Sequence, residues 1–461
     1  MKYKYLNLIF LLFFSLTTVS KEEISAYRLK SYEDKLSKNN ILILDLETSL
    51  RKAVDQNLEL KIKEYDVKKA KDNVIDSASG FLPSIQLITT FSQKDGYSQF
   101  FGDELMKIRQ KSVQPYMNGS FGLFRGGRVL LGTIASTKIL SAQKSNLNES
   151  QQETLRQTAQ VYFSMQKYAS ELNSELARLK EAETNLHERE VSLKVGTEVK
   201  LSVLFAQQEV EEAKARIAGL RGSLYSESSN LNRLLNLSVE NLILPAEFIS
   251  KDPEIVSFKE DSNLNSLVLK AINQRPSLKA QNELIKAQKM LEWQSLGAFL
   301  PVVEVNTSLG FVGPRRDELY PDEQASLIVK YDALEHLGGN SIANYLKNKH
   351  EKEQLMLELN NQIRSLENEL ESLLLKILAN QESLKASELA LEVAEESYRQ
   401  AKIRLKEGLS TSTELTVAQT GLERARAAYF AALLEYKISQ SNFLKSIGLI
   451  TIDNLSKGIV L

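Results

Sequence analysis

The chain has 461 residues, with 58 Lys+Arg against 59 Asp+Glu, a formal net charge of −1, three His and no Cys. That balance offers a polyanion little to hold, and no basic stretch interleaved with aromatics occurs, so nucleic-acid binding is disfavoured. The absent thiols remove disulfides, thiolate metal sites, thiol nucleophiles and a lipidated N-terminal Cys; His187, His336 and His350 are too scattered for most metal sites, so no cofactor is expected.

In chain order, Lys2 and Lys4 precede an apolar run over residues 6–16, and Thr18-Val19-Ser20 supplies small residues. This predicts a secretory signal peptide over residues 1–20, cleaved after Ser20, rather than a membrane anchor, because the run is short for a span. No later run approaches the ~18 apolar residues of a membrane helix. Residues 21–41 are a polar lead-in. The stretch up to residue 79 predicts a helix with Leu46, Leu50, Ala53, Val54, Leu58, Ile62, Tyr65 and Val67 on one broad face. Gly80-Phe81-Leu82-Pro83 breaks it. Ile85, Leu87, Thr89 and Phe91 then alternate with Gln86, Ile88, Thr90 and Ser92, and Met117, Gly119, Phe121 and Leu123 alternate again before Gly126-Gly127. The pattern predicts antiparallel strands over 84–94 and 115–125, joined by a polar loop over 94–113.

A long helix is predicted from about Thr133, with a seam at Tyr162, Met165, Ala169, Leu172, Leu176, Leu179, Ala182 and Leu186, ending at Gly196. A return helix follows through Val210, Ala213, Ile217, Leu220, Leu224, Leu231 and Leu234. Residues 238–262, with Pro245 and Pro253 and little periodicity, predict a linker with some local structure. The programme then repeats. Phe81-Leu82-Pro83 returns as Phe299-Leu300-Pro301, and Gly126-Gly127 as Gly338-Gly339. Leu193-Lys194-Val195-Gly196 returns as Leu405-Lys406-Glu407-Gly408, and Ala206-Gln207 as Ala418-Gln419. The two copies occupy 42–237 and 263–449, and 450–461 form a tail.

The second hairpin, over 359–436, has the longest seam: Leu359, Ile363, Leu366, Leu370, Leu373, Ile377, Leu384, Leu391, Ala394, Tyr398, Ala401 and Leu405, interrupted only by Asn380 and Ser387. Steps averaging 3.5 residues mark a helix packed lengthwise on others. Gly408 suits a helix end, and Thr411-Ser412-Thr413-Glu414 a capping box that starts the return helix through Leu415, Ala418, Leu422, Ala425, Tyr429, Ala432 and Tyr436.

Two strands per copy, four per chain, cannot close a sheet, yet about ten residues with one apolar face is the length of a membrane β-strand. A bilayer demands a closed barrel. The residues leave two readings: several chains pool their strands into one barrel, or a small soluble sheet caps a helical rod. A helix of roughly 60 residues is about 90 Å long and is stable only when packed laterally.

The order and duplication of these motifs resemble the TolC-like outer membrane efflux protein family over essentially the whole mature chain. The resemblance rests on Ala53 with Asn57-Leu58, Gly80-Phe81-Leu82-Pro83-Ser84, Leu123-Phe124-Arg125-Gly126-Gly127, Ala271 with Arg275-Pro276-Ser277-Leu278, Phe299-Leu300-Pro301, Gly338-Gly339, Gly408-Leu409-Ser410-Thr411 and Leu415 with Ala418-Gln419. It implies a mainly α fold with β. Long antiparallel helical hairpins would form an α-barrel tunnel through the periplasm. Four transmembrane β-strands per protomer would complete a trimeric twelve-stranded β-barrel in the outer membrane. Residues 238–262 and the tail would lie in an equatorial belt. The implied function is a passive exit duct in efflux or type I secretion. Its partners would be two further copies, outer membrane lipid, a periplasmic adaptor and an inner-membrane pump of RND, ABC or MFS type.

The resemblance also implies that the hairpin tips, Gly196-Thr197 and Gly408-Leu409-Ser410-Thr411, meet the adaptor. An acidic periplasmic gate is only partly matched: Glu414 is kept, but Val417 and Ser202 stand where acids occur, and Leu405 and Ser410 replace a tyrosine and an arginine. Glu414 therefore has two readings, helix cap and aperture residue, of which the cap is favoured. His187 and His350 lack the second His of a helical zinc site, Gly126-Gly127 lacks the Lys of a phosphate loop, and no catalytic constellation is present, so no enzyme activity is expected. The competing function is a secreted or periplasmic structural coiled-coil protein with a soluble β cap.

Overall fold

The computed structural model describes residues 41–99, 105–197, 199–251, 254–257, 264–331 and 339–461. The expected signal peptide, the lead-in before residue 41, Pro253, His336 and Gly338 lie outside the described residues. The chain divides into two compact units that cut across the sequence copies. One takes residues 41–57, Gln157–Glu254 and Asn380–Ile438; the other takes Leu58–Arg156, Ile255–Ala379 and Ser439–Leu461.

In the first unit, β1 (Ile41–Leu44) pairs in parallel with β4 (Leu242–Pro245). The uniform helix expected up to residue 79 is therefore corrected: β1 precedes it, and it is split into α1 (Leu46–Gln56) and α2 (Leu58–Ser79). Asp45 caps α1 by accepting from the Thr48 N–H at 3.1 Å. Asn57 ends it with extended backbone, and its buried Nδ2 donates to the Leu234 carbonyl at 3.0 Å. The break resets the helical phase, so Leu58, Ile62 and Tyr65 are exposed while Leu50 and Ala53 are core.

The unit holds the hairpin ends of the long helices α3 (Arg128–Val195) and α7 (Asn340–Lys406), with α4 (Lys200–Leu234) and most of α8 (Ser412–Ser446). The α7 seam is observed in full: every expected residue from Leu359 to Leu405 is buried or half-buried. The two polar interruptions find partners. Asn380 Nδ2 donates to the Glu435 carbonyl at 3.1 Å, and the Ser387 hydroxyl donates to the Leu384 carbonyl at 2.9 Å. One seam residue of α3 departs: Leu176 is 41% exposed, because the Glu175–Arg178 pair, 2.6 Å apart, turns inward in its place.

In the second unit, β2 (Ser84–Gln99), β3 (Leu105–Arg125), β6 (Val302–Arg315) and β7 (Glu318–Lys330) form one antiparallel sheet in the order β2-β3-β6-β7. Directly opposed residues of an antiparallel pair share a face. The register opposes Leu87 to Met117, Met117 to Leu309, Phe121 to Val305 and Val305 to Leu327. The expected alternations thus converge on one apolar face. Ser84, Ser120, Asn306 and Ser326 line up on the other face, as do Gln86, Asn118, Ser308 and Gln324.

Two expectations are corrected here. The first hairpin is longer than predicted, because β2 and β3 run through most of the stretch assigned to a loop; ladder hydrogen bonds need no apolar side chains. The register also slips between Gly122 and Phe124, so Phe124 rather than Leu123 stands opposite Val303.

The expected linker carries structure too short to show a period. Besides β4 it holds β5 (Val256–Ser257), which pairs in parallel with β8 (Ile459–Val460) beyond α9 (Ile452–Lys457). Two further helices, α5 (Leu264–Gln274) and α6 (Pro276–Leu296), precede β6. Among the described residues no helix is long and apolar enough to cross a membrane, which says nothing of a β-barrel.

Candidate functional site

Both hairpin tips are built the same way. At the first, the Gly196 N–H donates to the Leu193 carbonyl at 3.1 Å and the Thr197 N–H to the Ser192 carbonyl at 2.9 Å. At the second, the Gly408 N–H donates to Leu405 at 3.1 Å and the Leu409 N–H to Arg404 at 2.8 Å. This paired closure needs a left-handed residue, and Gly196 and Gly408 have φ of 80° and 75°. Their sequence correspondence is thus a correspondence of geometry.

Beyond the glycines the tips differ. The Thr197 hydroxyl donates back to the Ser192 carbonyl at 3.0 Å, whereas Val199 starts α4 without a side-chain cap. At the second tip, the Glu414 N–H donates to Thr411 Oγ1 at 3.3 Å, and the Ser410 hydroxyl donates to the Glu414 carboxylate. Glu414 therefore belongs to the start of α8, although its carboxylate stays exposed. The tips also expose apolar side chains: Val195 is 73%, Leu409 66% and Val417 68% exposed, as are Val199 and Leu201, which the sequence did not single out. Their signal was an apolar residue off the seam beside a helix end. An open groove of about 390 Å³ runs along the second tip past Arg404, Thr411, Glu414 and Val417.

Above the tips, charged contacts tie the two hairpins of this unit together. Tyr398 on α7 donates to Glu181 on α3 at 2.7 Å, and Lys402 pairs with the same carboxylate. Glu423 on α8 holds both Arg178 of α3 and Arg216 of α4 at 2.5 Å. Burial raises the Glu423 carboxyl, and the two guanidinium groups offset this only in part. At Glu181 burial also pushes upward, but the Lys402 and Tyr398 hydrogen bonds outweigh it and hold the carboxyl below its usual value. A depressed carboxylate contributes stability above its unfolded value, about 4.5, and loses it as pH falls through the folded value. Melting of the native protein is therefore expected to drop more steeply below pH 4.5 than melting of Glu181→Gln, and parallel curves would refute the link.

The polar face of the sheet is hydrogen-bonded across strands. Ser84 and Ser120 hydroxyls lie 2.9 Å apart, the Ser308 hydroxyl donates to Asn118 Oδ1 at 2.8 Å, and Tyr116 donates to Asp322. It forms an open concavity of about 300 Å³ lined by Ser, Asn, Gln, Thr and Gly. Such a surface suits passing water and polar solutes. Among the described residues no group of His, Cys, Asp and Glu could hold a metal ion, and His187 and His350 are exposed on helix faces.

Comparison with known proteins matches residues 49–237 and 267–449 to the family described as outer membrane efflux protein. The fold is similar to the CmeC outer membrane channel of Campylobacter jejuni, with TM-score 0.72 and 15% identity over 90% of this chain and 87% of that one. It is similar to the open MtrE outer membrane channel of Neisseria gonorrhoeae, with TM-score 0.70 and 18% identity over 88% and 89%. It is also similar to the outer membrane protein VceC of Vibrio cholerae, with TM-score 0.72 and 14% identity over 87% and 96%. At these identities the likeness establishes the fold alone. No curated protein sequence matches.

Proposed function

The chain belongs to the outer membrane efflux protein family, and on that premise we propose that it is the passive exit duct of a tripartite efflux or secretion assembly. The observation that carries this reading is the sheet. It has one apolar face, one polar face and two long edge strands, β2 and β7. An open edge cannot persist in hydrocarbon, where every backbone polar group needs a partner. Joining β2 of one copy to β7 of the next closes the ring, and three copies supply twelve strands, with the polar faces lining the pore. The long seams of α3 and α7 suit a helical tunnel continuing through the periplasm.

The exposed apolar side chains at the tips, with Gly196, Thr197, Gly408, Leu409, Ser410 and Thr411, are the proposed adaptor contact. A pump in the inner membrane supplies the energy. Thr411 caps the start of α8 at the Glu414 N–H, and in a closed ring the Glu414 carboxylate would stand at the periplasmic opening.

The deciding experiment is membrane fractionation with SDS-resistant oligomer sizing and conductance in planar bilayers. An outer membrane trimer that conducts is expected; a soluble monomer would sink the reading and favour the structural coiled coil. Recordings on Glu414→Gln settle that residue: altered ion preference marks an aperture, unaltered preference a cap alone. Crosslinking from Ser410→Cys and Thr197→Cys should capture the adaptor, and no adduct from either removes the docking assignment.

A further inference from the structure

We propose that the outward face of the first β-hairpin carries a binding stripe for the phosphate groups of external-leaflet lipid. The inference rests on the reading that the apolar face of the sheet meets lipid. On that face the apolar band of β2 and β3 ends at the opposed pair Phe91 and Val113. The next opposed pairs on the same face are Gln93–Lys111, Asp95–Arg109 and Tyr97–Lys107. Lys107, Arg109 and Lys111 therefore recur at every second position of β3, directly beyond the band, and all three are exposed. A fourth cation reaches the same border: the Arg316 guanidinium, from the β6–β7 turn, lies 5.0 Å from the centroid of the Phe91 ring.

The placement is one-sided. Between these positions, the opposite face of the same stretch carries Ser92, Lys94 and Gly96 on β2 and Gln110 and Ser112 on β3, with one cation among them. A rim that only needed solvation would have no reason to sort its bases onto the lipid side. Acids nearby offset the stripe only in part: across β2 only Arg109 faces an acid, while Lys111 and Lys107 face Gln93 and Tyr97. Asp95 pairs with Arg109 at 3.0 Å, Asp317 and Glu318 stand at the β6–β7 turn, and Glu323 shares the face but lies on the far edge strand, opposite Leu309.

The occupant follows from position and charge. The other ends of β2, β3 and β6 adjoin α2, α3 and α6, so this end is remote from the helices and falls at the external leaflet. Cations that continue a lipid-facing band meet headgroups there, and phosphate is the group that rewards several cations in a row.

The test uses the purified oligomer in a neutral detergent and measures binding of diphosphoryl lipid A, of the same lipid with its phosphates removed, and of inorganic phosphate. The phosphorylated lipid should bind more tightly than the dephosphorylated one. Neutralising the stripe with Lys107→Gln, Arg109→Gln, Lys111→Gln and Arg316→Gln together should weaken it on the order of a hundredfold, at roughly fivefold per charge less screening. Lys94→Gln, on the opposite face, should change nothing. Equal binding of the two lipids, an unaffected quadruple variant, or displacement by millimolar free phosphate would each overturn the proposal. The comparison of the two lipids on the native protein stands even where the variant does not assemble. A native protein absent from the membrane fraction fails the channel reading instead.

Discussion

Alanine at Gly126 is expected to abolish the proposed SDS-resistant oligomer, while alanine at the adjacent Gly127 leaves most of it. Both glycines have positive φ, 61° and 71°, so both substitutions carry the left-handed penalty of about 1–3 kcal/mol. They differ in what a Cβ would meet. At Gly127 there is open space within 4 Å, whereas at Gly126 the added carbon would lie 2.1 Å from the Gly297 carbonyl oxygen. That neighbour is backbone and cannot rotate aside. The contact is reciprocal, since a Cβ on Gly297 would lie 2.2 Å from the Gly126 carbonyl oxygen. Here the end of β3 turns into α3 against the turn at Gly297–Phe299 that leads from α6 into β6. Forcing the two apart adds overpacking of about 1–3 kcal/mol and tilts strands that must keep register. The sum approaches the net stability of a whole domain. SDS-resistant oligomer from the membrane fraction should fall in the order native, Gly127→Ala, then Gly297→Ala and Gly126→Ala. Equal yields from the alanine variants at 126 and 127 would discard the close-approach argument.

That junction marks the limit of what could be read from the residues. Gly126-Gly127 was legible as a break, and its recurrence as part of a repeat, but only coordinates show which glycine is crowded and by what. The seams and the strand faces were legible because each element repeats one environment many times. Period 3.5 over twelve α7 positions, or period two over a strand, averages away local exceptions. Three features resisted for physical reasons. The extension of β2 and β3 past the apolar band does not continue its alternation, because Lys107, Arg109 and Lys111 take the outward positions of β3 where apolar residues would mark a strand. β1, β4, β5 and β8 are two to four residues long, too short for any period. The apolar residues at the tips lie off the seam, and a sequence pattern treats them as noise.

The short strands lead to a second large effect. Gln440 is fully buried and clamps β5 with both ends of its amide: Oε1 accepts from the Ile255 N–H at 3.2 Å, and Nε2 donates to the Val256 carbonyl at 3.1 Å. In the first copy the corresponding residue is Ser228, whose hydroxyl accepts from the Ile243 N–H of β4 at 2.8 Å. Each return helix thus pins one short strand of the segment 238–262 through a polar side chain, but the two anchors are not equal. β4 pairs with β1 over four residues, so its backbone has other partners. β5 pairs with β8 over only two. Gln440→Leu fills the same space and leaves one buried donor and one buried acceptor unmade, at about 1–3 kcal/mol each. Two ladder pairs cannot offset a loss of that size, so the segment should open locally rather than unfold the chain. Amide exchange at Ile255, and at Ile459 and Leu461, whose N–H groups donate to Ile255 and Ser257, should accelerate by roughly 30-fold or more, the equivalent of about 2 kcal/mol. Ser228→Ala, orphaning a single donor beside a longer ladder, should speed exchange at Ile243 by a smaller factor. Unchanged exchange at the C-terminal strand in Gln440→Leu would mean that β8 is held by its own side chains, with Leu455 and Leu461 in the core, and not by the amide clamp.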